Sequence, residues 1–482
     1  MTIKDCQPQA VFSMFEALAA IPRGSGKEKK VSDWIVSEGK KLGLDVYQDE
    51  AYNVIIKKPG TAGYEQSAPV ILQGHMDMVC EKEEGLDFDF ETDGIRLLVE
   101  GDFLTADGTT LGGDDGVAVA MMLALLAAKD VAHPPIEAVF TSDEEAGMNG
   151  IRALDCTKLS GRRLINLDSE EEGHILSCCA GGMKSVTSLP LDWEKAKEGS
   201  CFLELFLTGL AGGHSGSDIH LQRANAHQLM GRLLQRLMEK AQVQVAHVHG
   251  GNMDNAIARS CRAIIVCDGA QEATVKTEAA LWLAQMQDEY AGAEHAMELQ
   301  VTEGQAQDAV MKEDCAKKVV ALLTLTPFGV QTMSLAMPGL VESSNNLGIV
   351  RTTKEAFTLT CAGRSSVKSR KEFLSRRLSA LADLVGASYS EHGDYPAWEY
   401  EAHSPLRETM VTVYEQLFGQ KPQVDAIHAG LECGLFAQNI AGIDMASIGP
   451  NMYDVHTTKE RLSISSVERT WRYLQEILRN LK

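Results

Sequence analysis

Short apolar runs alternate with longer helix-like segments over the first 180 residues of the chain. Strand-like runs stand at 53–58, 68–79, 136–147 and 162–169, and a long apolar segment follows Gly116. Short β-branched runs between amphipathic segments are typical of an α/β domain with a largely buried central sheet. We therefore predict a mostly parallel sheet, with helices on its faces, in this part of the chain.

The pattern changes near Met183. Residues 185–220 are typical of strands, and residues 224–241 are apolar at roughly every third or fourth position, which predicts an amphipathic helix. The same order of strand, strand and helix returns weakly over 347–386. This order favours an inserted α+β domain built from two similar halves.

The α/β pattern returns in the apolar runs at 424–438 and 444–450. A chain of 482 residues is also longer than the size at which one hydrophobic core keeps growing. We therefore predict an α/β catalytic domain that is interrupted by a lid-like insert. The predicted parts are 1–184 for the first part of the catalytic domain, 185–396 for the inserted α+β lid domain, and 397–482 for the second part of the catalytic domain.

The net charge and the composition of the chain disfavour several classes of binding partner. The net charge of −22 argues against nucleic acid and anionic membranes, whose surfaces are also negative. The N-terminal residues do not predict a signal peptide, and no apolar run reaches the roughly 18 residues that span a bilayer. Eleven cysteines without a CxxC pair favour reduced thiols over a disulfide framework. We expect a cytoplasmic protein that binds neither nucleic acid nor membrane.

Several common motifs are incomplete or absent. Residues 24–27 (GSGK) lack the glycine that a phosphate-binding loop requires at position 21, which is Ile. Residues 213–217 (GHSGS) miss the nucleophile elbow GxSxG at the last position. HExxH does not occur, and no GxGxxG follows a predicted strand. Serine-hydrolase, dinucleotide-binding and thermolysin-like chemistry are therefore disfavoured.

Ionisable side chains follow three of the predicted strands. His75 and Asp77 alternate after the first of these strands and can share a face, while Glu144 and Glu145 follow the second and Asp168 the third. Each group alone also fits a core histidine or a solvated acidic turn. Together they offer the imidazole and carboxylate ligands that suit zinc or manganese at the carboxyl edge of a sheet.

Two adjacent aspartates, Asp114 and Asp115, stand between a glycine turn and a long apolar run. A buried carboxylate without a partner is costly, so either both side chains point to water or a positive centre lies beside them. A carboxylate that bridges two metal ions would satisfy this requirement, and two such ions can stabilise a tetrahedral intermediate.

The motifs resemble those of a known enzyme superfamily. GHMDMV, TTLGGDDG, TSDEEAGMNG, DSEEEG, GGHSG, HAGLECG and the late His456 occur in the order seen in the co-catalytic zinc exopeptidases, which include aminoacylases, carboxypeptidases and dipeptidases. The resemblance extends from about Met14 to the C-terminal helix. It implies a zinc-exopeptidase-like fold and two divalent metal ions, with zinc expected first and cobalt or manganese as alternatives.

The resemblance also implies a role for each matching residue. Asp114 would bridge both metals, with His75 and Asp168 completing one site and Glu145 and His456 the other. The remaining implied roles are Asp77 orienting His75, Glu144 as the general base, His214 as the lid histidine that donates to the oxyanion, Arg364 as the partner of the substrate carboxylate, and Asn255 and Asn346 as polar substrate contacts.

The chain departs from the family pattern at three places, one of which is NAIARS at 255–260, where relatives have NAIPRE. Asp115 follows the bridging aspartate where relatives usually have Asn, and His456 lies in YDVHTTKE where they usually have a Gly-Pro-His-Ser segment. Because the peptide after the bridging aspartate is typically cis in this superfamily, we predict a cis Asp114–Asp115 bond.

The implied function is hydrolysis of dipeptides with a free N-terminus, with Xaa-His or broad preference, by a metal-bridged hydroxide. One alternative is an N-acyl amino acid deacylase or carboxypeptidase on the same scaffold. A second is a non-catalytic acidic binding protein, which the intact set of ionisable residues disfavours. We expect small peptide substrates as partners, and both a monomer and a homodimer are compatible with a two-half insert.

Overall fold

Strands and helices alternate along the chain as the sequence pattern predicts. The computed structural model describes residues 2–197 and 199–482. Its strands are β1 (Asp45–Gln48), β2 (Val54–Lys58), β3 (Val70–His75), β4 (Leu97–Glu100), β5 (Phe103–Ala106), β6 (Ile136–Thr141), β7 (Arg163–Asn166), β8 (His174–Cys179), β9 (Gly181–Pro190), β10 (Trp193–Lys195), β11 (Ser200–Thr208), β12 (Gly213–His214), β13 (Gln244–Gly250), β14 (Ala256–Ile257), β15 (Cys261–Asp268), β16 (Glu298–Glu303), β17 (Ala309–Met311), β18 (Gly329–Met333), β19 (Val341–Thr352), β20 (Ala356–Ser365), β21 (Ser388–Tyr395), β22 (Gln423–Ile427), β23 (Asp444–Ser447), β24 (Met452–Tyr453) and β25 (Arg461–Ser463).

The helices connect and cover these strands. They are α1 (Gln9–Ala19), α2 (Lys29–Lys41), α3 (Gly113–Ala127), α4 (Asn149–Ala153), α5 (Ala226–Ala241), α6 (Glu272–Glu289), α7 (Glu313–Leu325), α8 (Lys368–Val385), α9 (Pro405–Phe418), α10 (Cys433–Asn439) and α11 (Ile464–Asn480), with short 3-10 helices at Ile3–Asp5, Cys156–Lys158, Ile219–Leu221 and Gly269–Gln271. In the described part of the chain, no helix combines the length and the apolar character needed to cross a membrane.

The chain divides into two compact units. The first contains Met1–Cys179, Tyr400–Ile427 and Leu431–Lys482, and the second contains Ala180–Glu399 and His428–Gly430. The short segment His428–Gly430 belongs to the second unit, although we predict it within the last part of the catalytic domain. The reason is its hydrogen bonds, because the Ser344 hydroxyl lies 2.7 Å from His428 Nε2 and the Ala180 amide donates to the Ala429 carbonyl.

The first unit contains the predicted, mostly parallel sheet. Its strand order is β1-β2-β6-β3-β7-β23-β8-β22. Strands β6, β3, β7 and β23 run parallel to one another, and the antiparallel pairs involve β1, β2 and the contact of β23 with β8. Because β3, β6 and β7 are parallel neighbours, their carboxyl ends lie at the same edge of the sheet.

Helix α3 lies in the core of the first unit and packs against α1 and β3. Every residue from Gly113 to Leu126 is buried, so the apolar run predicted to form a helix is covered on all of its faces. Asp114 and Asp115 have non-helical torsions, with ψ of 110° and 37°, which places the regular helix after them, as predicted. The start of α3 thus carries two carboxylates into the interior.

A small second sheet of the first unit, with the order β24-β25-β5-β4, holds the loop that contains His456. This loop connects β24 and β25. The Arg461 guanidinium at its end lies over the rings of Phe103 and Tyr453, 5.2 Å from each ring centroid. Cation–π contacts on both sides therefore fix the base of the loop.

The second unit is built on an antiparallel sheet with the order β16-β11-β15-β13-β19-β20-β9-β21, to which β18 adds through β19. A single residue pair, Gly250 with Val350, joins β13 to β19. The sheet therefore consists of two halves, one packed by α5 and α6 and the other by α8. This arrangement agrees with the predicted repetition of strand, strand and helix.

Candidate active site

The predicted ligands follow strands that end side by side. His75 is the last residue of β3 and pairs in register with Thr141, the last residue of β6. Asp168 lies two residues after the last residue of β7, Asn166. The amide of the intervening Leu167 donates to the Gln73 carbonyl of β3. The sheet therefore delivers these side chains to one edge, where ligands bind in open α/β sheets.

Asp114 lies between the two predicted histidine ligands. Its Oδ1 is 3.1 Å from His75 Nε2, and its Oδ2 is 3.0 Å from His456 Nε2. Each carboxylate oxygen thus faces a different imidazole. This is the arrangement that a carboxylate bridging two cations requires.

A second carboxylate completes each side. Asp168 Oδ1 lies 3.5 Å from His75 Nε2, and Glu145 Oε1 lies 2.8 Å from His456 Nε2. The Nε2 atoms of His75 and His456 therefore each lie close to two carboxylate oxygens. Such a set of one nitrogen and two oxygens suits zinc, cobalt or manganese, so the residues present fit two divalent ions.

The buried carboxylate of Asp77 organises the surrounding backbone. Its Oδ1 is 3.4 Å from His75 Nδ1 and accepts a hydrogen bond from the Glu144 amide at 3.1 Å. Its Oδ2 accepts from the Glu145 amide at 3.2 Å and from the Ser25 hydroxyl at 2.8 Å. Asp77 therefore holds both the ring of His75 and the turn that presents the two glutamates.

The charges of this cluster depend on one another. Burial opposes the ionised form of Asp114, but hydrogen bonds with His456 and His75 hold its pKa well below the usual range. The hydrogen bonds of His456 with Asp114 and Glu145 raise the pKa of its imidazole to about 11. Burial raises the pKa of Asp168 to about 7. The histidine protons therefore supply the positive charge that divalent cations would replace.

Asp115 contacts the backbone of His75, whereas Asp114 contacts its ring. Its side chain is fully buried, its Oδ2 accepts from the His75 amide at 3.2 Å, and its Oδ1 has no hydrogen-bond partner among the described residues. Burial and the nearby Asp168 raise its pKa well above the usual range. The peptide bond between Asp114 and Asp115 is cis, as predicted. Asp114 faces the histidines, whereas Asp115 supports the backbone of the strand that carries His75.

Glu460 fixes the glycine-rich turn before Asp114. Its buried carboxylate accepts hydrogen bonds from four consecutive amides, those of Leu111, Gly112, Gly113 and Asp114, at 2.8, 3.1, 2.7 and 3.3 Å. No local sequence pattern points to Glu460, because Glu460 and Asp114 are separated by 346 residues. The same glutamate ends the loop that carries His456, so one side chain connects two of the predicted ligands.

Buried polar side chains form a layer beside the cluster, and two of them, Gln73 and Asn166, stand two residues before the predicted ligands His75 and Asp168. The Gln73 amide donates to Glu432 Oε2 at 2.5 Å, and the Thr141 hydroxyl donates to the same oxygen at 2.6 Å. The Asn166 amide donates to Gln73 at 2.7 Å, and the Ser447 hydroxyl donates to Asn166. Burial raises the pKa of Glu432 to about 8. This layer connects β3, β6, β7 and β23 by side-chain hydrogen bonds near the ends of these strands.

His214 of the second unit occupies the two-residue strand β12, which pairs with β14. Its Nδ1 accepts from the amides of Gly216 and Ser217 at 3.3 and 3.4 Å, so Nε2 carries the proton of the neutral ring. Burial and the positive charge of Arg364 lower the pKa of His214. The hydrogen bonds at Nδ1 therefore leave Nε2 of His214 as the atom that can donate.

The predicted substrate contacts Arg364, Asn255 and Asn346 also lie in the second unit. Arg364 Nη1 donates to the Tyr395 hydroxyl at 3.0 Å. The amide of Asn346 donates to the carbonyls of Asp254 and Ala256 at 2.6 and 2.8 Å, which holds the backbone on both sides of Asn255. The carbonyl of Asn255 accepts from the Ser215 amide at 2.8 Å. Asn346 and Asn255 thus support the segment that presents His214.

The fold and this cluster define a class of protein, an α/β protein with a histidine–carboxylate centre at the carboxyl edge of a mostly parallel sheet. A family model described as peptidase family M20/M25/M40 matches residues 71–480. The chain therefore belongs to peptidase family M20/M25/M40, which confirms the resemblance seen in its motifs.

Individual relatives are similar over the whole chain. The sequence is 36% identical over 479 residues to the cytosol non-specific dipeptidase of Escherichia coli (strain K12), covering 99% of each chain. The crystal structure of aminoacylhistidine dipeptidase from Vibrio alginolyticus matches with a TM-score of 0.93 at 34% identity, over 99% of this chain and 98% of that chain. A tripeptidase from Staphylococcus aureus shares the fold, with a TM-score of 0.57 at 16% identity over 99% of both chains.

The four hydrogen bonds to Glu460 generate a prediction. In Glu460→Gln, the side-chain amide of glutamine faces backbone N–H donors and loses at least half of these bonds. We expect the affinity for divalent metal ions to fall about 10- to 100-fold, which is the usual effect of replacing a residue that orients metal ligands without touching the metal. Competition with a chelator measures this affinity. Glu468→Gln, at an exposed position of α11, is the matched control. Unchanged affinity in a folded Glu460→Gln protein would contradict the role of Glu460.

Proposed function

We propose that this protein is a metal-dependent dipeptidase that hydrolyses dipeptides with a free N-terminus. One observation carries the proposal: the two oxygens of Asp114 each face a different histidine, within a chain of the M20/M25/M40 family. The names of the E. coli and Vibrio relatives support dipeptides, including Xaa-His, as the substrates. Following the E. coli relative, we also place the protein in the cytoplasm.

The metal-binding residues that we propose are His75, Asp168 and one oxygen of Asp114 for the first ion, and His456, Glu145 and the other oxygen of Asp114 for the second. Zinc is the expected ion, and cobalt or manganese would also suit these ligands. Divalent ions at this centre, when bound, polarise the peptide carbonyl and lower the pKa of water.

Glu144 is the proposed general base. Burial raises its pKa well above the usual range, and the hydrogen bond from its amide to Asp77 fixes its backbone. A carboxylate with a raised pKa can take a proton from the attacking water and then release it to the leaving nitrogen. Glu144 would thus move one proton across the reacting peptide, while Glu145 binds metal.

The proposed substrate contacts are His214, Arg364, Asn255 and Asn346. Neutral His214 would donate from Nε2 to the oxygen that becomes negative in the tetrahedral state. The planar guanidinium of Arg364 would bind the free carboxylate of the dipeptide. Asn255 and Asn346 would act as polar contacts beside them. The buried Oδ1 of Asn346 supports this role, because no described residue donates a hydrogen bond to it.

A panel of substrates after metal removal tests the function. The protein is stripped with a chelator, and zinc, cobalt or manganese is added back separately. We expect release of free amino acids from Ala-His and Ala-Ala only after metal is restored, and no release from N-acetyl-His. Activity on N-acetyl-His alone would instead support the deacylase alternative. Hydrolysis of neither class, with metal bound, would contradict an enzymatic role.

Substitution of Glu144 tests the assignment of base and ligand. We expect Glu144→Gln to lower kcat about 10²- to 10⁴-fold, the usual contribution of a general base, while the protein keeps its full metal content. Metal analysis and dipeptide kinetics on the same sample measure both quantities. Asp143→Asn changes the neighbouring carboxylate and is the control, with turnover expected near that of the wild type. Loss of metal from Glu144→Gln would show that Glu144 is a ligand instead.

A further inference from the structure

Arg364 stands in a row of three residues that crosses three strands of the second unit. Arg364 on β20 is the register partner of Gly182 on β9, and Gly182 is also the register partner of Tyr395 on β21. Register partners on neighbouring strands project toward the same face of a sheet. The glycine in the middle leaves a gap between the two long side chains.

The ring of Tyr395 fills this gap. A Cβ atom at Gly182 would lie only 2.4 Å from three atoms at the hydroxyl end of the ring. Because Gly182 has no side chain, the ring lies across β9 and its hydroxyl accepts a hydrogen bond from Arg364 Nη1 at 3.0 Å. Any other residue at position 182 would displace the ring from this position.

The backbone of Tyr395 accepts a hydrogen bond from Lys371. The buried ammonium of Lys371, on α8, donates to the Tyr395 carbonyl at 2.7 Å and to the Asp394 carboxylate at 2.6 Å, and it lies 3.5 Å from the Gly182 carbonyl. The register of β21 against β9 shifts between His392 and Tyr395. Lys371 therefore stabilises the irregular end of β21, where the ring of Tyr395 lies over Gly182 of β9.

The guanidinium of Arg364 keeps hydrogen-bonding capacity for a ligand. Its Nε is buried, and the described part of the chain provides no acceptor for it. An arginine has five N–H donors, and the contact with Tyr395 uses only Nη1. A buried donor without an acceptor is costly unless a ligand supplies one. A carboxylate is the group that fits this planar set of donors.

We propose that Tyr395 is a positioning residue for substrate binding, whose hydroxyl orients the Arg364 guanidinium toward the carboxylate of the dipeptide. This inference rests on the proposed function, because it takes Arg364 as the group that binds that carboxylate. A guanidinium that is oriented before the substrate arrives loses less freedom on binding. The hydroxyl of Tyr395 thus acts on substrate affinity and leaves the chemical step to other residues.

Tyr395→Phe removes only the hydroxyl and is the direct test. We expect KM for Ala-His to rise about tenfold with kcat within about twofold, because an interaction made equally in the ground and transition states affects KM alone. The carboxamide Ala-His-NH2 should show no change in kcat/KM. Tyr389→Phe, on the same strand, is the matched control. A fall in kcat with unchanged KM, or equal losses on both substrates, would overturn the inference.

A double-mutant cycle separates this inference from the proposed function. With Arg364→Ala, we expect KM for Ala-His to rise, and addition of Tyr395→Phe to change it by less than about twofold, because the hydroxyl acts only through the guanidinium. If Arg364→Ala raises KM but Tyr395→Phe does not, the role of Tyr395 is wrong and the proposed function stands. If Arg364→Ala leaves KM unchanged, the assignment of the carboxylate to Arg364 is wrong. Gly182→Ala should reproduce the effect of Tyr395→Phe by displacing the ring.

Discussion

The contact of one carboxylate with two imidazoles determines the rest of the first unit. Asp114 can be buried as an anion because a stabilising group faces each of its oxygens, His75 Nε2 at 3.1 Å and His456 Nε2 at 3.0 Å. These three residues come from a strand end, a glycine-rich turn and a loop near the C-terminus. The fold must therefore bring together segments that lie up to about 340 residues apart in the sequence. The mostly parallel sheet positions His75, and long-range hydrogen bonds such as those of Glu460 position Asp114 and the loop of His456.

The surrounding buried polar groups act as supports. Asp77 holds the ring of His75 and the turn of Glu144, and Glu460 holds the amides before Asp114. Unpaired buried charges cost several kcal/mol, so each of these carboxylates is stable only where several donors converge on it. The hydrogen-bonded layer that contains Gln73 and Glu432 serves the same purpose beneath the strand ends. Precision at the centre therefore depends on residues that touch neither metal nor substrate.

Local sequence patterns were sufficient for the elements and for part of the site. Alternation along β3 indicates that His75 and Asp77 act together, and the strand-end position of Asp168 follows from the same reasoning. Roles such as that of His456 come only from the resemblance of motifs to a family. Glu460 and Tyr395 leave no local signal, since each acts through partners that the fold brings close, and Glu432 lies within the motif HAGLECG without its role being visible there. Tyr395 in particular reaches Arg364 only because a register pairing places Gly182 between them, and such pairings cannot be read from periodicity.

In the proposed metal centre, the two oxygens of Asp114 serve two different metal ions. Titration of the metal-stripped protein with Co²⁺, followed by the absorption of the bound ion, tests it most directly. We expect two equivalents bound per chain in the wild type, and one equivalent in each of His75→Ala and His456→Ala. A single equivalent in the wild type, or two equivalents retained in either variant, would contradict it.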